Sequence, residues 1–253
     1  MYPELDLGPI SLQTFGLCFA LSFVAAGAVL SRRLAELGKP VDWCYESVFA
    51  ALLGGLVGAR IDYLIQNRDK VSDDLLGALV SGSGLVWFGG VVGGAVGVGL
   101  WAWRRGWLDA RLLDTAAIPL ALGYAIGRVG CQVSGDGDYG VASDLPWAMA
   151  YPDGTVPTTE EVHPTPVYET LAMGLLALAL WRLRDRFAPG VLFGIYLFLS
   201  GLERALVELV RRSEDLVAGL TLPQVIALAM MAGGAAVILS RRGRPVEPSS
   251  APA

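Results

Sequence analysis

The sequence predicts an all-α, polytopic integral membrane protein of about seven transmembrane helices with a small extracytoplasmic lobe. Three observations carry that reading. The 253 residues are 54% hydrophobic and only 17% charged, with a mean hydropathy of +0.52, a balance unlike that of water-soluble domains. Apolar runs of roughly 20 residues, the length that crosses a hydrocarbon core, recur between polar punctuation. The basic residues then alternate from loop to loop. Arg32, Arg33 and Lys39, Arg104, Arg105 and Arg111, Arg182, Arg184 and Arg186, and Arg241, Arg242 and Arg244 occupy one set of loops, while the opposite set holds only Arg68, Lys70, Arg211 and Arg212. Lys and Arg are retained on the cytoplasmic side, so the bias predicts an outside N-terminus, a cytoplasmic C-terminus and an odd number of spans.

Seven runs satisfy the pattern: Ile10 to Leu30, Trp43 to Gln66, Leu76 to Trp103, Leu112 to Val133, Pro166 to Trp181, Gly190 to Val210 and Gly219 to Leu239. Residues 1–240 thus read as a transmembrane domain, 134–165 as an extracytoplasmic insert and 241–253 as a short cytoplasmic tail. The opening MYPELDLGP carries acids and no base ahead of the first apolar run, whereas a cleavable secretion signal begins positively charged. In the third run, Gly89/Gly93 and Gly90/Gly94 have the small-xxx-small spacing of closely packed helices. No strand precedes these glycines and no Lys-Ser/Thr follows them, which argues against a phosphate loop.

Other classes are disfavoured on composition. Nineteen Lys and Arg against 24 Asp and Glu give a net charge of −5, with no basic stripe for nucleic acid. Cys18, Cys44 and Cys131 are odd in number and lack CxxC spacing, so neither a disulfide framework nor a zinc site is expected. The segment SGDGDYG starts like a calcium loop but lacks the terminal Glu, and a tight turn explains its Gly and Asp. No metal and no cofactor are expected.

The informative residues are those that defy the apolar runs. Arg60, Arg128 and Arg204 each lie inside one, toward its outer end. Intramembrane charges are costly and usually face an interior cavity with a functional role; the bland alternative is snorkelling to the interface. Asp62 follows Arg60 by two residues. Glu208 follows Arg204 by four and shares its helix face, and Arg211 extends that face outward. His163 is the single histidine, which removes chemistry requiring two. It stands in HPTPVYE, where Pro164 and Pro166 bring His163, Tyr168 and Glu169 to the outer interface, as a hydrogen-bonding group at a helix start or as a base.

These residues fall into GRVGC at Gly127 to Cys131, followed by Gly135 and Gly140, then HPTPVYE at His163 to Glu169, and GLERALVELVR at Gly201 to Arg211. The combination resembles the prolipoprotein diacylglyceryl transferase family. The resemblance extends through LDLGPISLQTFG near the start, GARIDYL at Gly58 to Leu64, GLVWFGGVVGG at Gly84 to Gly94 and GLTLPQVIAL at Gly219 to Leu228. It implies a multi-pass enzyme of the bacterial inner membrane. Such an enzyme moves the diacylglyceryl group of phosphatidylglycerol onto the lipobox cysteine of a prolipoprotein, forming a thioether and releasing glycerol phosphate. The family's phosphate-holding arginines map onto Arg128 and Arg204, with Arg60 as support. Gly127, Gly130 and Gly140 match its signature glycines, and His163 and Glu169 its HPxxxYE element. With Asp136, Tyr168 and Glu208 these make the expected site, in which Arg128, Arg204 and His163 act in the chemistry. The expected partners are phosphatidylglycerol, lipobox signal peptides and the bilayer.

The sequence also departs from the family. Phe15 stands where Tyr is common, Phe88 where His or Tyr is common, and the GRxG signature is one residue longer at GDGDYG. The chemistry asks for arginines regardless, because the departing phosphate must be stabilised and the substrate thiol must become a thiolate. With two polar groups replaced by hydrocarbon, the arginine field and His163 are expected to activate the thiol, with Asp136 or Asp138 as substitutes for the base. Two other readings follow from the same residues. One is an inactive relative that binds anionic lipid or a lipidated peptide, and the other an anion transporter, which lacks the inverted repeat it would need.

Overall fold

The computed structural model describes residues 1–8, 10–67, 87–212 and 220–242. Seven helices fall within them: α1 (Thr14–Glu36), α2 (Trp43–Gln66), α3 (Trp87–Arg104), α4 (Ala110–Ser134), α5 (Thr165–Leu183), α6 (Val191–Glu208) and α7 (Leu222–Arg241). Four of them, α1, α2, α4 and α7, are long and apolar enough to cross a membrane. Their faces carry exposed Val24, Phe49, Leu56 and Leu228, as lipid-facing surface must, and the protein is an integral membrane protein. The first part of the expected third run, from Leu76 to Val86, lies outside the described residues.

Two hairpins modify the all-α expectation. Strands β1 (Glu4–Leu7) and β2 (Ile10–Gln13) pair antiparallel around Gly8 at φ +71°, so the first helix begins at Thr14 rather than Ile10. Within the 134–165 segment, β3 (Met149–Tyr151) pairs with β4 (Thr158–Val162). Tyr139 and Tyr151 stack there, ring centroids 4.9 Å apart, beside buried Val162.

The chain divides into two compact units, Met1–Arg33 with Leu113–Ala253, and Leu34–Leu112. In the first, α4, α5 and α6 bury Ala117, Ala121 and Ala125 against Met173, Leu176, Leu180 and Leu192. Asp114 of α4 accepts the N–H groups of Gly190 (2.7 Å) and Phe193 (2.8 Å), satisfying donors that the start of α6 leaves open. Helix α7 opens with a capping box in which the Thr221 hydroxyl accepts the Gln224 N–H and the Gln224 side chain accepts the Thr221 N–H.

The second unit is built on glycine. A Cβ at Gly54 would stand 2.3 Å from the Gly93 carbonyl oxygen, one at Gly58 2.2 Å from that of Gly89, and one at Gly97 2.3 Å from that of Ala50. The backbones of α2 and α3 therefore touch along Gly54 and Gly58 on one side and Gly89, Gly93 and Gly97 on the other. The expected Gly89/Gly93 pair lies on this seam, while Gly90 and Gly94 have more room. Asp62 accepts the Gly89 N–H at 3.0 Å. At the other end Trp43, Trp101 and Trp107 cluster, with Lys39 over two of the rings.

Candidate active site

Helix periodicity puts Tyr124, Arg128 and Cys131 on one face of α4. Arg128 is the hub. Its Nε lies 3.0 Å from Oε2 of Glu169, its Nη2 donates to the Tyr124 hydroxyl at 3.1 Å, and its Nη1 pairs with Asp138 and reaches the Cys131 sulfur at 3.6 Å. Glu169 comes from the first turns of α5 and is shared. The Tyr124 hydroxyl donates to its Oε1 at 2.9 Å, and Arg204 of α6 reaches the same oxygen at 3.3 Å. One turn further along α6, Glu208 takes the other end of Arg204 at 2.6 Å. The Thr221 hydroxyl donates to Glu208 at 2.8 Å, so the residue that caps α7 also closes this network.

Arg211, just beyond α6, pairs with the second oxygen of Asp138 and lies 3.8 Å from Glu169. A β-bridge between Gly140 and Arg211 fixes its backbone. Three guanidiniums, of Arg128, Arg204 and Arg211, thus face three carboxylates, of Asp138, Glu169 and Glu208. Breaking any one pair would strand a buried charge. The side chains of Glu169 and Glu208 are 0% exposed and that of Asp138 is 29% exposed. Burial raises the Asp138 carboxyl, but Arg128 and then Arg211 outweigh it and hold the group below the ordinary carboxylate range.

Two of the three signature glycines have packing roles. A Cβ at Gly130 would stand 2.9 Å from that of Cys18 and 3.6 Å from the Phe15 Cα, where α1 crosses α4. One at Gly140 would stand 2.3 Å from the Val210 carbonyl oxygen and 2.9 Å from the His163 Cβ. Gly127 has open space around it. Asp136 accepts the Asp138 N–H at 3.2 Å in a turn where Gly135 and Gly137 have φ of +60° and +95°, which favours glycine. Donor atoms of Cys131, Asp136 and Asp138 come within 4.8 Å of one another. Both Asp138 oxygens are already engaged by guanidiniums, however, which disfavours a cation there.

His163 lies apart from the arginine network. Its ring Nδ1 is 3.3 Å from the Tyr168 hydroxyl, which accepts the Trp147 indole N–H at 2.8 Å. These three side chains and Glu203 are the polar lining of a cleft of about 800 Å³ between α5 and α6. Its remaining walls are apolar, among them Met173, Leu176, Leu202 and Leu206. Arg60 belongs to the other unit, on α2, with its guanidinium 5.0 Å from the centre of the Tyr63 ring. Phe15 is exposed and stacks on Phe19; the side chain of Phe88 lies outside the described residues.

Sequence reasoning brought together Arg128, Arg204, Glu169 and Glu208 but missed Tyr124, Glu203 and Thr221, and gave Arg211 and Asp138 lesser parts. Tyr124 was legible as the residue four before Arg128, and Thr221 as the start of a T-x-x-Q capping box. Glu203 was legible as an acid inside the sixth apolar run.

Helices of membrane-crossing character around a buried arginine–carboxylate network, flanked by an apolar cleft, define an integral membrane protein with a site suited to an anionic, lipid-borne group. The sequence matches the profile described as "Prolipoprotein diacylglyceryl transferase" over residues 4–240, and the chain belongs to that family. It is similar to the phosphatidylglycerol–prolipoprotein diacylglyceryl transferase of Chromohalobacter salexigens (30% identity, covering 97% of this chain and 96% of the relative). It is also similar to the proteins of the same name from Erythrobacter litoralis (30%, 98% and 94%) and Clostridium tetani (28%, 81% and 83%).

Proposed function

We propose that this protein is a transferase of the bacterial inner membrane that moves the diacylglyceryl group of phosphatidylglycerol onto the lipobox cysteine of prolipoproteins. The observation that carries the reading is the network of Arg128, Arg204 and Arg211 beside an apolar cleft, in a chain that belongs to the family of that activity. All seven helices span the bilayer in this reading, with the N-terminus outside, residues 134–165 as an extracytoplasmic lobe and the tail from 241 in the cytoplasm.

The lipid phosphate approaches guanidiniums already neutralised by carboxylates. Of these only Asp138 has exposed surface, so the phosphate takes over the place Asp138 holds between Arg128 and Arg211. Glu169 and Glu208 stay and keep the three arginines aimed. The planar guanidinium fork suits a phosphate, and charge that develops on it as the ester bond breaks is stabilised in a water-poor site. The cleft between α5 and α6 admits the peptide laterally, with His163 and Tyr168 near its cysteine, while the close contacts of Gly130 and Gly140 hold α4 and the loop after it in place.

The test is mass spectrometry of a lipobox peptide incubated with the purified protein in phosphatidylglycerol vesicles. The native protein is expected to add a diacylglyceryl mass, and Arg128→Ala to slow the addition by about 10²–10³-fold. No adduct from a folded native protein that retains phosphatidylglycerol would favour the lipid-binding, inactive alternative. Normal transfer by both Arg128→Ala and His163→Ala would overturn the assignment of the site.

A further inference from the structure

Glu203 is an acid that the network leaves over. It precedes Arg204 on α6, yet Arg204 directs its two terminal nitrogens to Glu169 and Glu208. Oε1 of Glu203 is shielded from solvent and meets no hydrogen-bond donor among the described residues. The side chain lines the cleft together with His163, Tyr168 and Trp147. Its electrostatic neighbours are Glu169 of α5, Arg204 and Arg211 on its own side, and Arg128 of α4, with Tyr124 also within its influence. The carboxylate therefore stands at the boundary between the apolar cleft and the arginines. An intramembrane acid without a structural partner is functional by default.

The other polar groups of the cleft are committed. The Trp147 indole is a donor only, and it gives its N–H to the Tyr168 oxygen. The Tyr168 proton then has Nδ1 of His163 as the acceptor within reach among the described residues. A histidine accepting at Nδ1 carries its proton on Nε2, so it offers the cleft a donor and not a base. Glu203 retains the spare acceptor capacity.

Resting on the transferase reading, we infer that Glu203 is the catalytic base that deprotonates the lipobox thiol. The thiol proton passes to Oε1 of Glu203, and the thiolate attacks the glyceryl carbon that carries the phosphate. The new S–C bond forms as the C–O bond breaks, and that electron pair leaves on the phosphate oxygen held by Arg128 and Arg211. Glu203 then gives its proton to the departing glycerol phosphate and is restored as carboxylate. No further reactant enters.

The test compares native protein, Glu203→Gln and Glu203→Asp in phosphatidylglycerol vesicles, from pH 6 to 9. Each is given a cysteine lipobox peptide and the same peptide with selenocysteine, whose selenol ionises without help. Glu203→Gln is expected to slow the cysteine reaction by about 10²-fold or more at pH 7. Its residual rate should climb about tenfold per pH unit as free thiolate accumulates, Glu203→Asp should recover part of the rate, and the selenocysteine peptide should be slowed far less. A structural role would slow both peptides alike, and that result overturns the inference. So does a Glu203→Gln rate within threefold of native, with adduct still formed. Absence of adduct from the native protein instead overturns the transferase reading on which the inference rests. If Glu203→Gln does not fold, Glu203→Asp carries the same comparison of the two peptides.

Discussion

The two compact units solve the same problem by opposite means. Residues 34–112 pack α2 on α3 through bare backbone, with glycines where any side chain would collide. The unit formed by 1–33 and 113–253 joins α4, α5 and α6 through Arg128, Glu169, Arg204 and Glu208, buried charges that are each answered by a partner. In hydrocarbon neither unit gains from burying more apolar surface, so helices associate through close van der Waals contact or through polar groups. The glycine seam has no chemistry to offer. The charged one costs desolvation, and what it gives in return is a set of oriented guanidiniums where a phosphate can bind. The difference separates a unit whose interior is only packed from one whose interior is a site.

The largest effect is expected from breaking the hub. Arg128→Leu leaves Asp138 and Glu169 short of a partner, and removing one member of a buried pair typically costs about 3–5 kcal/mol. Denaturation in detergent micelles should show a loss of that size together with loss of transfer. Arg128→Lys keeps the charge but not the fork that reaches Glu169, Tyr124 and Asp138 at once, and should fall between. The glycine seam should break less severely, and without regard to pH. At Gly58→Ala the new Cβ meets backbone on α3 at 2.2 Å, and overpacking of this kind costs about 1–3 kcal/mol. Gly99→Ala, which meets nothing within 4 Å, is the matched control and should be neutral or slightly stabilising.

The two seams were not equally legible. The four-residue repeat of glycines is a local pattern, so the seam on Gly89 and Gly93 could be read from spacing alone. Its extension to Gly97, and its facing row at Gly54 and Gly58, needed the register of α2 against α3. The charged site was legible where its members share a helix, as Arg204 and Glu208 do. Its closure was not, because Arg128, Asp138 and Arg211 meet only through a loop whose path depends on Gly140 pressing against Val210. His163 was drawn toward the arginines by sequence proximity to Glu169, whereas its ring faces the cleft with Tyr168. The hairpin ahead of α1 escaped because its strands are four residues long and merge into the first apolar run.

Asp138 links the charged seam to solution, and its expected effect is smaller and depends on pH. Because Arg128 and Arg211 hold its carboxyl below the ordinary value near 3.9, its contribution to stability is present above that value and disappears as pH falls through the lower folded one. Asp138→Asn should therefore lower stability at neutral pH, by about 1–2 kcal/mol given its partial exposure and the pairs that Glu169 keeps. The variant should also lack the part of the acid decline that Asp138 contributes in the native protein. The two melting curves, measured against pH, should converge below about pH 4; parallel curves would mean that the Asp138 pairs are not what couples this seam to acid.

The smallest effect is predicted one residue past Arg211. Arg212 pairs with Glu160 at 3.0 Å, but their side chains are 44% and 66% exposed, so water and salt screen the pair. Arg212→Ala should change stability by less than about 1 kcal/mol, even though the neighbouring Arg211, with the same side chain, sits in the buried network. A thermal melt of Arg212→Ala beside Arg211→Ala compares an exposed arginine with a buried one next to it in the chain. A loss at Arg212 as large as at Arg211 would mean that exposed charges of the lobe carry weight comparable to the interior network. A null effect there, with a large one at Arg211, would assign the strength of the seam to its desolvated pairs.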